Sequence, residues 1–203
     1  MNTPNKLSMV RIVIVPVILL FLLPIRFLSF EPEGWNTFIL TQGRLIACVL
    51  FIIASITDYV DGYIARKYDL VTNLGKFLDA LADKMLVISV LVALVQIQRL
   101  SSFGVVLIIL REFMVSGIRM IASADGNVIA AKMIGKVKTV TQMIAIIYIL
   151  LETLLIDLLP RFQESHVYIS IIGDVLFWGC VVMTVVSGMD YLLKNVSYFR
   201  ENN

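Results

Sequence analysis

Six long apolar stretches constrain this chain more than any other feature. They run roughly Val10–Leu28, Thr37–Asp58, Asp79–Gln98, Phe103–Ala122, Thr139–Leu159 and Val167–Leu193. A helix of about 20 such residues, rising about 1.5 Å per residue, crosses the roughly 30 Å hydrocarbon core of a bilayer. None of the stretches alternates in the strand fashion, so a membrane barrel is not expected. The pattern predicts an all-α integral membrane protein with six transmembrane helices, in a single domain over 1–203. Asn2–Met9 forms a short interfacial segment ahead of the first span. The first stretch starts basic like a secretory signal. No small-residue cleavage site follows it, and Pro24-Ile25-Arg26 ends it, so it reads as retained.

Composition agrees. Hydrophobic residues make up 59% and charged residues 16%, against about 45–50% and about 25% in soluble domains. That excludes a disordered chain, a disulfide scaffold and a nucleic-acid binder. Cys48 and Cys180 lie in separate apolar stretches and read as small apolar residues. One histidine and two cysteines cannot build an ordinary zinc site. Six crossings put both termini on one side, with twelve Lys and Arg against four on the other and Arg111 inside a span. The positive-inside rule makes the termini cytoplasmic. Trp35 and Trp178 are expected at the interfaces, and His166 in a solvated outward loop.

The charges that matter chemically lie where the second and third stretches meet. Asp58 and Asp61 are three residues apart, Asp79 and Asp83 four apart. On helices each pair shares a face. The connection Lys67–Leu74 is short, so the two helices are antiparallel neighbours and four carboxylates face one another near the cytoplasmic interface. Unpaired, they repel and are costly beside hydrocarbon. Divalent cations remove both costs, and an all-oxygen set suits Mg²⁺ or Mn²⁺. Four carboxylates can hold two ions about 3.5–4 Å apart, an arrangement used in phosphoryl chemistry. Gly62 and Gly75 allow close approach, and Arg66 offers a planar fork for phosphate. The bland alternative is a set of interfacial charges paired with Arg66, Lys67, Lys76 and Lys84. Asp69 lies between the helices and takes no role.

These residues resemble the signature of the CDP-alcohol phosphotransferase family, D-x-x-D-G-x-x-A-R followed by G-x-x-x-D-x-x-x-D. Asp58, Asp61, Gly62, Ala65, Arg66, Gly75, Asp79 and Asp83 fill every fixed position. The resemblance implies a six-helix, typically homodimeric enzyme in the bacterial plasma (inner) membrane, with its site facing the cytoplasm. It implies transfer of a phosphatidyl group from a CDP-linked lipid to an alcohol, with release of CMP. It also implies that Asp58, Asp61 and Asp79 bind the two metal ions, Mg²⁺ or Mn²⁺. Asp83 would complete that metal site and act as general base. Gly62, Ala65, Arg66 and Gly75 would shape the nucleotide and diphosphate pocket. Beside cations Asp83 is a weak base, and orienting the hydroxyl is an alternative role.

The acceptor is read from two further stretches, Arg111-Glu-Phe-Met-Val-Ser-Gly-Ile-Arg119 and Gly135-Lys136-Val-Lys138-Thr139. Arg111, Arg119 and Lys136 together can surround a second phosphate, which suits glycerol 3-phosphate and not serine, choline or unphosphorylated inositol. The competing reading of Arg111 is a structural lock with Glu112. Lys138 and Lys132 read as ordinary positive-inside residues. These stretches, with Pro4-Asn5-Lys-Leu7-Ser8-Met-Val-Arg11, resemble the branch of the family that makes phosphatidylglycerophosphate. Two departures are Ala80, where many members carry Pro, and Ser8, where Thr is commoner. Alternatives left open are inositol phosphate as acceptor, phosphatidylglycerol as acceptor to give cardiolipin, and a divalent-cation transporter. Glu152, Asp157, Asp174 and Asp190 read as structural.

Overall fold

The computed structural model describes residues 3–25, 32–67, 73–124, 133–158 and 165–194; within these ranges the side chains of 3–6, 59, 61–67, 73–74, 76–77, 123–124 and 165 fall outside the description. Arg26, Asp69, Lys132, Arg161 and Arg200 also lie outside the described residues. Every described element is helical. The helices are α1 (Thr3–Leu22), α2 (Glu33–Phe38), α3 (Arg44–Lys67), α4 (Asn73–Gln96), α5 (Ser102–Ala124), α6 (Met133–Leu158) and α7 (Ser165–Lys194). A π-helical turn, Ile39–Gly43, joins α2 to α3 without a break.

Three helical stretches are long and apolar enough to cross a bilayer by length and composition: Glu33–Asp58, Met133–Leu158 and His166–Lys194. The apolar part of α1, Leu7–Leu22, is shorter. Helices α4 and α5 have the length, but polar residues such as Asp79, Asp83, Lys84, Arg111 and Glu112 interrupt their apolar runs.

The distribution of side chains is that of a protein in an apolar solvent. On α3, Ala47, Cys48, Phe51 and Ala54 are buried at a helical period, while Val49, Ile53 and Ile56 on the other face are exposed. On α7 the exposed face carries Val175, Val182, Val186 and Met189, and Thr184 and Ser187 point inward. Small residues at the contacts let membrane helices approach closely, and polar groups turn to the interior, where partners exist. Both cysteines are buried and free. The main core draws on all six long helices, with Ile18, Phe51, Leu94, Ile108, Ile149 and Cys180 at its centre.

Boundaries differ from the sequence reading in an informative way. The first helix begins at Thr3, so the N-terminal segment continues the helix and does not lie ahead of it. It ends at Leu22 and not Leu28, because the residue before Pro24 is pushed out of helical geometry. Helices α3 and α4 run past their apolar stretches, to Lys67 and back to Asn73, carrying the whole carboxylate signature on helix. Trp178 sits near the middle of the 30-residue α7, not at an end, and packs edge-on against Phe177. Trp35 lies between Phe21 and Phe38, where α2 meets the end of α1. His166 is exposed in the first turn of α7 and not in a loop.

Helix α1 packs on α3 and α4, α6 on α7 and α3, and α5 on α7 and α4. Two close approaches set these contacts. A Cβ on Gly43 would stand 2.1 Å from the Phe21 carbonyl oxygen, so only glycine lets the π turn lie against α1. A Cβ on Gly173 would stand 2.0 Å from Glu152 Oε1 and 2.6 Å from Arg99 Nη2. There Arg99 donates Nε and Nη2 to Glu152, each at 2.5 Å, and Nη1 to Asp174 at 2.6 Å. This bidentate clamp ties the α4–α5 turn to α6 and α7. The hydrogen bonds that Arg99 donates to Glu152, and then the one to Asp174, raise its proton affinity above its ordinary value, against the opposing effect of burial. The turn itself needs Gln98 in the left-handed region, at φ 59°, a conformation more often given to Gly or Asn.

Candidate active site

The antiparallel course of α1, α3 and α4 brings three polar positions to one end of the bundle. Arg11 is the pivot. Its side chain is fully buried, and its Nη1 donates to Asp58 Oδ1 at 2.6 Å and to Asp79 Oδ1 at 3.4 Å. The Asp58 and Asp79 side chains are 33% and 49% exposed, so each carboxylate keeps an open side. Two carboxylates from different helices thus meet at one nitrogen atom. Ser8, one turn before Arg11, is also buried.

Asp83 lies one turn further along α4 than Asp79, within electrostatic reach of Asp58, Glu112 and Asp79. It lines a cavity of about 30 Å³ together with Lys84, Glu112, Lys138, Thr139 and Gln142 and the apolar Val87 and Ile88. A space of this size admits a water molecule, which needs roughly 10–15 Å³. Asp61, Gly62, Ala65 and Arg66 are on the last turns of α3, but their side chains lie outside the described residues. Gly75 is in the first turn of α4.

Among the described residues no three His, Cys, Asp or Glu side chains form a metal-holding group; Asp61 is not among those described. The donors that are described do fit a hard cation. Asp58 and Asp79 offer oxygen only, they converge from two helices, and they already share one positive charge. Of the cations in the alternative reading, Arg66, Lys67 and Lys76 have side chains outside the described residues, and Lys84 donates to Ser116. Among the described residues Arg11 is the cation that holds both acids.

The second basic group is built on α5, α6 and α7. Arg111 donates Nη2 to Ser187 at 2.7 Å and Nη1 to Glu112 at 3.2 Å. Its Nη2 stands 3.8 Å from where a Cβ on Gly135 would be, which places it beside the start of α6. Arg119, two turns on, is exposed with its guanidinium 5.7 Å from the Tyr191 ring centroid. Both arginines therefore face α7. Lys136 is exposed in the first turn of α6. Lys138 departs from expectation. It is buried, not an ordinary surface cation, and donates to Glu112 and Gln142. Glu112 thus serves both Lys138 and Arg111.

A sequence profile of the CDP-alcohol phosphatidyltransferases matches residues 1–186. The chain belongs to the CDP-alcohol phosphatidyltransferase family. The match takes in Arg11, the whole carboxylate signature and the basic group of this phosphatidyltransferase. Among its relatives is the CDP-diacylglycerol–glycerol-3-phosphate 3-phosphatidyltransferase of Bacillus subtilis, 40% identical over 207 residues, covering 100% of this chain and 99% of that protein. Proteins of the same name from Rickettsia felis and Rickettsia bellii are each 33% identical, over 198 and 200 residues, covering 98% of this chain and 97% of theirs.

Reasoning from sequence missed Arg11 and Lys138 as members of this phosphatidyltransferase's polar interior. Arg11 stood inside an apolar stretch, and that position was the available signal. Only Gln142, four residues on, stood near Lys138 in sequence; its counterion Glu112 is on another helix.

Proposed function

We infer that the protein transfers the phosphatidyl group of CDP-diacylglycerol to glycerol 3-phosphate and releases CMP. The observation that carries this reading is the meeting of Asp58 and Asp79 on Arg11 within a complete family signature. Full-length relatives named for this reaction support it. The terminal hydroxyl of the acceptor attacks the phosphorus that bears the diacylglycerol. A new P–O bond forms, the P–O bond to CMP breaks, and the hydroxyl proton goes to a base.

Asp58, Asp61, Asp79 and Asp83 would hold the divalent ions, Mg²⁺ or Mn²⁺, which would supply positive charge against the diphosphate and the departing CMP. Arg11 fixes Asp58 and Asp79 so that their carboxylates stay together when substrate arrives. Gly62, Ala65, Arg66 and Gly75 shape the pocket for the cytidine diphosphate. Asp83 orients the acceptor hydroxyl and takes its proton; its place in a cavity with Glu112 and Lys138 supports that role. Arg111, Arg119 and Lys136 bind the acceptor's phosphate. The Glu112 contact with Arg111 is compatible with this, since Glu112 is shared with Lys138 and the guanidinium keeps donors to spare.

The chain forms one domain of six membrane-crossing helices in the bacterial plasma membrane. Both termini and the carboxylate end face the cytoplasm, and the working form is a homodimer. The apolar exposed faces of α3 and α7 support the membrane placement, and the excess of Lys and Arg supports the orientation.

CMP release by the purified full chain tests the reading. Release should require both CDP-diacylglycerol and glycerol 3-phosphate, stop on chelation and resume with Mg²⁺ or Mn²⁺. Inositol phosphate, phosphatidylglycerol and serine should not replace the acceptor. Release with one of these and none with glycerol 3-phosphate would refute the acceptor, and undiminished release in excess chelator would refute the metal site.

A further inference from the structure

At the end of the bundle away from the carboxylates, a cavity of about 550 Å³ opens between the end of α1, the π turn and the end of α4. It is lined by Leu22, Pro24, Ile39 and Leu40 together with Arg44, Gln96, Ile97 and Gln98. Asp79 and Gln96 are 17 residues apart on one helix, which separates the cavity from the carboxylate site by about 25 Å.

Arg44 is the feature that needs an account. Among the described residues its one hydrogen bond runs from Nη1 to Thr153 Oγ1 at 3.0 Å. Among the described residues it has no carboxylate in contact. Glu152, the residue before Thr153 on α6, gives both oxygens to Arg99. An arginine in an otherwise apolar helix is costly unless it has a partner. Thr153 anchors one arm of the guanidinium, and the remaining donors belong to a side chain that lines the cavity.

We propose that this cavity binds a phosphate-bearing anion on Arg44. The fork geometry of guanidinium suits phosphate oxygens. Gln96 and Gln98 add neutral amide donors beside it, and among the described residues no acidic side chain is in the lining to repel the ligand. The volume lies within the roughly 300–1,000 Å³ of small-molecule sites, more than a bare phosphate fills. Leu22, Ile39, Leu40 and Ile97 offer apolar wall for a glycerol backbone. In a bilayer the source is a phospholipid headgroup; free phosphate is the other source of the same chemistry. The proposal rests on the membrane placement of α3 and not on the transferase chemistry, and CMP release by the wild type, measured on the same preparation, tests that chemistry separately.

The test uses the purified full chain in a non-ionic detergent. Dioleoyl phosphatidylglycerol, dioleoylglycerol and inorganic phosphate are offered in turn to the wild type and to Arg44→Gln. Retained lipid is read by native mass spectrometry and phosphate by thermal shift. The wild type should retain phosphatidylglycerol on the order of tenfold above Arg44→Gln, as expected for a lost charge-assisted contact, and neither should retain dioleoylglycerol. A thermal shift with inorganic phosphate alone, absent in Arg44→Gln, assigns the site to free phosphate. Equal lipid retention and equal phosphate shift in both proteins overturn the proposal. If Arg44→Gln does not fold, Gln96→Leu decides, since it leaves the Arg44–Thr153 bond in place: reduced binding supports the site, and wild-type binding of both ligands overturns it.

Discussion

Removing the Arg11 guanidinium leaves the Asp58 and Asp79 carboxylates converging with no fixed cation between them. Hydrogen bonds to charged groups are worth about 1.5–3 kcal/mol. The partial exposure of both acids places the effect on stability at the lower end, because water screens them. The rate depends on their geometry, so it suffers more. Arg11→Met should lower CMP release by about 10–100-fold, the rate equivalent of that energy, and lower the melting temperature in detergent by a few degrees. Wild-type turnover in the folded variant would show that Arg11 does not position the acids. Gly173 is a second residue-scale test. Alanine there overlaps Glu152 Oε1 and Arg99 Nη2, both held in a bidentate pair that has no slack. Gly173→Ala should cost about 1–3 kcal/mol, in the range for overpacking, read as a lower midpoint in a thermal melt.

At the scale of elements, the contact of α1 with the α2–α3 unit carries the carboxylate site, because α1 brings Arg11 to helices α3 and α4. That contact depends on Gly43 beside the Phe21 carbonyl and on Asn36, which accepts from Ile25 N at 2.9 Å and donates to Ile25 O at 3.1 Å. The obstacle at Gly43 is backbone, which cannot rotate away as a side chain can. Gly43→Ala should therefore move α1 and lower both stability and CMP release, with the loss of activity persisting at temperatures where circular dichroism still reports full helix. Activity equal to wild type at those temperatures would show that α1 is not held from this end. Pro24 and Gln98 mark the two nearby helix ends. The first was legible as a stop. The second was not, since a glutamine in the left-handed region carries no local mark.

For the whole molecule, the alternation of helix direction puts Glu33, Arg44, Arg99 and Glu152 at one end and Arg11, Asp79, Arg119 and Lys138 toward the other. The topology predicts opposite exposure of these ends to the two sides of the membrane. The native cysteines are buried, so single introduced cysteines report cleanly. Glu33→Cys should react with an impermeant maleimide on intact cells, and Met133→Cys, at a strongly exposed position, only after permeabilisation. The reverse pattern would invert the orientation.

Hydrophobic length alone determined that this chain is helical and bilayer-seated, because backbone polar groups in hydrocarbon must be satisfied within the segment. Spacing alone marked Asp58, Asp61, Asp79 and Asp83 as a set, since helical periodicity is a local property. Tertiary structure decided which charges meet. Arg11 reaches Asp58 across 47 positions of sequence, Lys138 reaches Glu112 across 26, and Arg99 reaches Glu152 across 53. Partners so far apart leave no periodic trace in a single chain. They are selected by the cost of leaving a charge in a low-dielectric interior without a counterion.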